Sequence, residues 1–125
     1  MTGTVIDGSY RIDRVIGEGG FGVVYECTEL ELRRTVAIKV LRPGPMSERE
    51  IAQFSAEGQN LASLNHPNVV HIYRLGNWEG RPYIAMEFVG GITLRQLMSR
   101  ERIEVRRLLE VMMQVAAGLA AIHGV

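Results

Sequence analysis

Glycines at positions 17, 19, 20 and 22 fall between two runs rich in β-branched and aromatic residues, Tyr10 to Ile16 and Val23 to Leu30. The spacing of Gly17, Gly19 and Gly22 fits G-x-G-x-x-G, a pattern that dinucleotide folds and ordinary turns also produce. The residues after the glycines separate these cases. A dinucleotide fingerprint opens a helix, because the pyrophosphate sits on that helix's N-terminus. Here Val23-Val24-Tyr25 continues as strand, which predicts that the glycines form the tip of a β-hairpin. A tip without Cβ atoms lets backbone N–H groups approach phosphate oxygens. The plain alternative is a flexible hairpin that binds nothing.

The rest of the chain reads as strands and helices without repeats or low-complexity segments. Thr35 to Leu41 predicts a third strand, with Val36, Ile38 and Val40 on one face and Ala37, Lys39 and Leu41 on the other. Pro43-Gly44-Pro45 stops it. Ser47 with Glu50 makes a capping box, opening a helix whose Phe54, Glu57, Leu61 and Leu64 recur at steps of three and four. Gly58 within it costs about 1 kcal/mol relative to Ala. Asn65-His66-Pro67 ends the helix. Two more strands, Val69 to Gly76 and Pro82 to Val89, flank a hairpin turn at Asn77-Trp78-Glu79-Gly80, where Trp78 is expected to cover the surface. Gly90-Gly91 breaks the chain. A short helix is expected from Thr93 and a long one from Glu104 to Ile122.

Composition narrows the function classes. A chain of 125 residues is one domain or a piece of a larger one. At 46% hydrophobic and 22% charged it is ordinary globular protein. Fourteen Lys and Arg balance fourteen Asp and Glu, so no basic field points to nucleic acid or to an anionic membrane. The single cysteine, Cys27, excludes an internal disulfide or a Cys-rich zinc site and reads as a small buried apolar residue. His66 reads as a local turn residue, and His71 and His123 have no second ligand at metal spacing, so no metal site is expected. Arg33-Arg34 and Arg106-Arg107 read as solvated faces. No apolar run approaches the roughly 18 residues of a membrane span, and the N-terminus lacks a signal-peptide pattern. The expectation is a cytoplasmic chain with no membrane segment, while an intact parent could be tethered to a membrane.

Two charged residues stand out against apolar neighbours. Lys39 ends Val36-Ala37-Ile38-Lys39 in mid-strand, where its plain reading is a snorkelling edge lysine. Glu57 interrupts the apolar face of Phe54 and Leu61, where its plain reading is a half-exposed rim carboxylate. An unpaired charge on a packed face is costly. Lys39, on the preceding element, can supply the partner, so a Lys39–Glu57 ion pair is expected.

Together these residues resemble the eukaryotic-like (Hanks-type) protein kinase family, and most closely its bacterial serine/threonine members. G-E-G-G-F-G-V-V-Y resembles the glycine-rich loop over the ATP phosphates, and V-A-I-K the third-strand lysine motif. The resemblance places Glu57 at the helix glutamate that pairs with that lysine. Leu64-Asn65-His66-Pro67-Asn68-Val69-Val70 is similar to the segment between that helix and the fourth strand, and Pro82 to Val89 to the fifth strand and hinge. It implies Met86 at the back of the adenine pocket, the backbone of Glu87 and Val89 on adenine, and Val24 and Ala37 as its apolar roof. Ile16, Gly17, Glu18, Gly19, Gly20, Phe21 and Gly22 complete the implied ATP-binding set, with Lys39 and Glu57 as the implied catalytic pair. The resemblance covers the chain from Tyr10 onward.

The family's H-R-D-x-x-x-x-N catalytic loop and D-F-G metal aspartate do not occur in these 125 residues. The implied fold is therefore α+β: a protein-kinase small lobe of five antiparallel strands and one helix, with the first helices of the large lobe. Residues 1–9 read as an N-terminal segment, 10–89 as small lobe and hinge, and 90–125 as the start of a large lobe truncated before the catalytic loop. The implied function is the ATP-binding portion of a serine/threonine protein kinase, inactive alone, with ATP as ligand. Mg2+ and a protein substrate are implied only for the intact parent. A non-catalytic kinase-like interaction module and an unrelated nucleotide-binding domain are the alternatives. The last helix is apolar along Val105, Leu108, Leu109, Met112, Val115, Ala116, Leu119 and Ile122, and widened by Val111, Met113, Ala117 and Ala120. Left uncovered, that stripe implies self-association, binding to a chaperone, or folding of the helix back onto the chain's own sheet.

Overall fold

The computed structural model describes residues 2–19, 22–42, 48–91, 96, 99 and 104–123. Six antiparallel strands form one sheet: β1 (Val5–Ile6), β2 (Tyr10–Glu18), β3 (Gly22–Glu29), β4 (Arg34–Leu41), β5 (Ile72–Trp78) and β6 (Arg81–Glu87). Their order across the sheet is β1-β2-β3-β4-β6-β5. Two helices are described, α1 (Glu48–Ala62) and α2 (Val105–His123). The capping Ser47 and most of the short helix expected from Thr93 lie outside the described residues.

The sixth strand corrects the expected five. β1 pairs with β2 through Val5 opposite Arg11 and Ile6 opposite Tyr10, across a turn in which Asp7 and Gly8 are both left-handed. Two paired residues carry too little alternation to read as a strand. What holds β1 is tertiary: Ile6 is fully buried, and Asp7 reaches across the molecule. Its carboxylate accepts a 2.7 Å hydrogen bond from the Tyr83 hydroxyl and lies 3.2 Å from the Arg74 guanidinium.

Those contacts curl the sheet. β2 and β6 are not neighbours, yet the Tyr10 and Tyr83 rings meet edge to face at 6.0 Å. Inside the curl lie Ile12, Cys27, Val36, Ile38, Val40 and Ala85. The opposite face of the sheet carries Leu41, Ile72 and Ile84, which pack on Phe54 of α1. The period-two division of the third predicted strand thus holds for Val36, Ile38 and Val40 against Leu41, because the sheet has a core on both faces. Trp78 belongs to the core and not to the surface. It ends β5, and the Arg81 guanidinium covers its ring at 4.6 Å, while the left-handed Glu79 and Gly80 make the turn.

Gly58, unfavourable in an isolated helix, is explained by packing. A Cβ there would stand 2.8 Å from Leu75 Cδ2 and 3.1 Å from Ile84 Cδ1, so glycine lets α1 lie close on β5 and β6. Gly76 plays the same part for Tyr83, since a Cβ there would enter the buried tyrosine ring. α2 docks through Gly118, whose Cβ would meet the Asn68 carbonyl oxygen at 3.0 Å, and through the Asn68 side-chain amide, which donates to the Gln114 carbonyl at 2.9 Å.

This packing sets three expectations. Gly76→Ala forces Tyr83 off its site and lowers unfolding free energy in urea by about 2–3 kcal/mol. Cys27 is fully buried and desolvation pushes its thiol up to about 12, so native protein labels slowly with a thiol reagent and unfolded protein rapidly. Burial first, and then the hydrogen bond to Asp7, raises the Tyr83 phenol; burial chiefly raises Tyr10. A raised folded-state value means the contribution is fully present below the unfolded phenol's pKa of about 10 and is lost as pH rises above it. Alkaline titration of stability shows that decline, and Tyr83→Phe reduces its slope.

Candidate functional site

β3 and β4 pair without a register shift, placing Gly22 opposite Leu41, Val24 opposite Lys39 and Glu26 opposite Ala37. Residues directly opposite share a sheet face. Val24, Ala37 and Lys39 therefore lie on one face, and β6 continues it with Met86 opposite Ala37 and Ile84 opposite Lys39. This is the face on which α1 packs.

The glycine-bearing hairpin closes between β2 and β3. Glu18 stands opposite Val23, and Gly19 donates its N–H to the Gly22 carbonyl at 2.9 Å. Ile16 sits in the β2 irregularity between Val15 and Gly17 and is partly exposed. Bulges re-aim side chains and recur beside functional sites. The glycines differ in what demands them. A Cβ on Gly22 would run into the Val40 carbonyl oxygen, so the β3–β4 approach itself requires that glycine. Among the described residues a Cβ on Gly19 would meet nothing within 4 Å, and a Cβ on Gly17 only Val24 at 3.9 Å. Gly20 and Phe21 lie outside the described residues.

Lys39 and Glu57 line one pocket of about 200 Å³ with Glu50, Gln53 and Phe54. The Lys39 ammonium lies 5.9 Å from the centroid of the Phe54 ring, at the outer reach of a cation–π contact. The structure brings Lys39 and Glu57 to the same cavity but does not join them: no ion pair links the two among the described residues. The expected pair rested on Glu57 lying on the packed helix face. In the fold that face is Phe54 and Gly58, with Ile51 and Leu61 beside them, and Glu57 borders it exposed to solvent. A hydrated carboxylate has no desolvation cost to offset, so nothing compels it to seek Lys39.

At the other end of the face, Met86 is partly buried, and Glu87 and Val89 are exposed. Glu87 is fastened to His71 twice. Its N–H donates to the His71 carbonyl at 2.8 Å, and its carboxylate accepts from the His71 N–H at 3.1 Å. His66 is a turn residue, its Nδ1 accepting from the Asn68 N–H at 3.1 Å. The His71–Glu87 clamp has no signature in the sequence, since nothing in the spacing of an exposed His and Glu indicates that their backbones meet.

The chain matches the protein kinase domain over residues 10–125. It belongs to the protein kinase domain family. It is 39% identical to the serine/threonine-protein kinase PrkC of Bacillus subtilis, covering 98% of this chain and 19% of that protein. With the serine/threonine-protein kinase PknA of Mycobacterium tuberculosis it shares 37% identity, over 97% of this chain and 30% of the relative. The crystal structure of the Mycobacterium tuberculosis PknI kinase domain superposes with a TM-score of 0.81 at 28% identity, covering 99% of this chain and 51% of that one. The architecture is thus that of a kinase small lobe with an added helix, and the chain spans well under a third of PrkC and about half of the PknI kinase domain.

Because Lys39 and Glu57 are unlinked in this kinase-family fold, a double-mutant cycle of Lys39→Met and Glu57→Gln is expected to show coupling near zero in unfolding free energy. Each single change should shift stability by less than about 0.5 kcal/mol. Coupling of about 1 kcal/mol or more would mean that the pair forms in solution.

Proposed function

We propose that this chain is the ATP-binding portion of a serine/threonine protein kinase. The observation that carries the reading is Gly19. Among the described residues neither its backbone conformation nor any neighbour demands a glycine, whereas a ligand lying against the hairpin would. Lys39, Val24 and Ala37 share the face beneath that hairpin. Val24 and Ala37 would cover an adenine ring from above, with Met86 behind it. Because the Glu87 N–H is already given to His71, Glu87 would offer adenine its carbonyl, and Val89 would supply the next backbone groups. The Lys39 ammonium would meet the α- and β-phosphates, and hairpin N–H groups the phosphates further out. Glu57 would orient Lys39 only after α1 shifts toward β4.

In the longer protein the reaction would be attack of a Ser or Thr hydroxyl oxygen on the γ-phosphorus. The bond to the β,γ-bridging oxygen breaks, ADP leaves, and the hydroxyl proton passes to the family's catalytic-loop aspartate. That residue is not among these 125, and the same holds for the D-F-G aspartate. Among the described residues no three His, Cys, Asp or Glu side chains gather to hold a metal ion, so Mg2+ is assigned no residue here. The proposed contribution of these residues is binding and charge neutralisation. No helix among the described residues is long and apolar enough to cross a membrane.

A second reading, a non-catalytic interaction module, draws on α2. Val105 and Met113 are more than 70% exposed, and Leu109, Met112, Val115 and Leu119 are also open to solvent. An apolar face of that kind is ordinarily covered. We infer that the isolated chain self-associates through it.

Two measurements test these readings. In titrations with a fluorescent ATP analogue the chain should bind in the micromolar range or weaker, and Lys39→Met should weaken binding about tenfold or more. Gly19→Ala should weaken it without loss of stability, while Gly22→Ala should destabilise the sheet. No transfer of γ-phosphate is expected from the chain alone, and turnover abolished by Lys39→Met would refute that statement. Light scattering should report oligomers for the full chain and monomers for a version ending at Arg100. Association without nucleotide binding would favour the interaction module.

A further inference from the structure

Arg42 follows directly on β4, one residue beyond Leu41, whose cross-strand partner is Gly22. Its guanidinium donates to the Gly19 carbonyl at 3.1 Å and lies 3.8 Å from the Glu18 carboxylate. Gly19 in turn closes the hairpin through its N–H on the Gly22 carbonyl. The end of β2, the start of β3 and the end of β4 are thus gathered at one cation.

The tip needs such an anchor. Gly19 brings no side chain that could pack, and glycine has more backbone freedom to lose than any other residue. Ends of hairpins open locally at little cost. A guanidinium fork can hold a carbonyl and a carboxylate together, which an ammonium does less well. Contacts across the sheet also place Arg42 on the wrong side to serve as a second phosphate cation. Lys39 and Leu41 lie on the α1 face and Val40 faces the interior of the curl, and Arg42 reaches Glu18, whose cross-strand partner Val23 stands opposite Val40, which puts it on the Val40 side. It grips the tip from behind the Lys39 pocket.

We propose that Arg42 is a positioning residue that latches the glycine-rich tip to the end of β4 and fixes its height over Lys39. Its consequence for nucleotide affinity rests on the proposal that the chain binds ATP. The latch is neutralised locally by Glu18, so Lys39 remains the cation facing the pocket. Loss of the latch leaves the sheet intact and frees Gly19, whose backbone must then be ordered again each time nucleotide binds.

The test uses the full 125-residue chain with Arg42→Ala and Arg42→Lys, read by amide hydrogen exchange without nucleotide and by binding of the fluorescent ATP analogue. Arg42→Ala is expected to speed exchange at Gly19, Gly22 and Val23 roughly two- to fivefold, the range set by one exposed pair and one hydrogen bond. Exchange over Val36–Val40 should be unchanged, and nucleotide affinity should fall by a similar factor. Arg42→Lys should recover part of both effects. Unchanged exchange at the tip overturns the latch. Acceleration spread across β4 also overturns it, by making Arg42 a support of the sheet. A loosened tip that binds nucleotide as tightly as before overturns the positioning role. If the unaltered chain binds no nucleotide, the ATP reading fails by itself, and the exchange data alone decide on the latch.

Discussion

β3 and β4 run side by side from Gly22 opposite Leu41 to Glu29 opposite Arg34 with no break in register. That ribbon ties the glycine hairpin to the lysine strand. Its phase sets Lys39 against Val24 and sends both toward α1, and a slip of one residue would turn Lys39 into the interior of the curl. The ribbon also requires a glycine at 22, where the β4 backbone leaves no room for a Cβ. Val24, Ala37 and Lys39 therefore occupy one face because a single set of ladder hydrogen bonds fixes them there.

Around this ribbon the sheet carries two cores. Its interior is closed where Asp7 of the β1–β2 turn and Tyr10 of β2 meet Tyr83 of β6 and Arg74 of β5, from opposite ends of the strand order. Its outer face is covered by α1, brought close by Gly58. α2 joins through one glycine and one side-chain amide at the segment before β5, and most of its large apolar side chains stay exposed. The well-packed part of the chain is the sheet with α1, and α2 carries most of the exposed apolar side chains.

The sequence was legible where local physics decides. Strand-forming runs bounded by glycine and turn residues located β2, β3, β4 and β6 to within about two residues, period two divided the faces of β4, and the 3.6-residue period located α1 and α2, because burial on one face writes itself into spacing. β5 starts later than its apolar run, at Ile72 and not Val69, because Val69 and Val70 belong to the segment that receives α2. β1 was hidden by its length. Trp78 misled because a turn is ordinarily outside; here the turn is only Glu79 and Gly80. Glu57 misled for a subtler reason. On a helix its spacing from Phe54 fits the packed face as well as that of Gly58 does, and only contact with Leu75 and Ile84 shows which position lies underneath.

The amino-acid order suffices to put Gly17, Gly19 and Gly22 at a hairpin, Lys39 in a strand among apolar neighbours, and Cys27 in the core. Each follows from residue type and short-range spacing. Long-range packing alone makes a two-residue strand part of the sheet, brings Lys39 and Glu57 to one cavity without pairing them, and lets Arg42 reach back to Gly19. Those outcomes depend on how far helices and hairpins approach one another. That distance is set by which side chains, or which missing Cβ atoms, lie between them, and no local pattern records it.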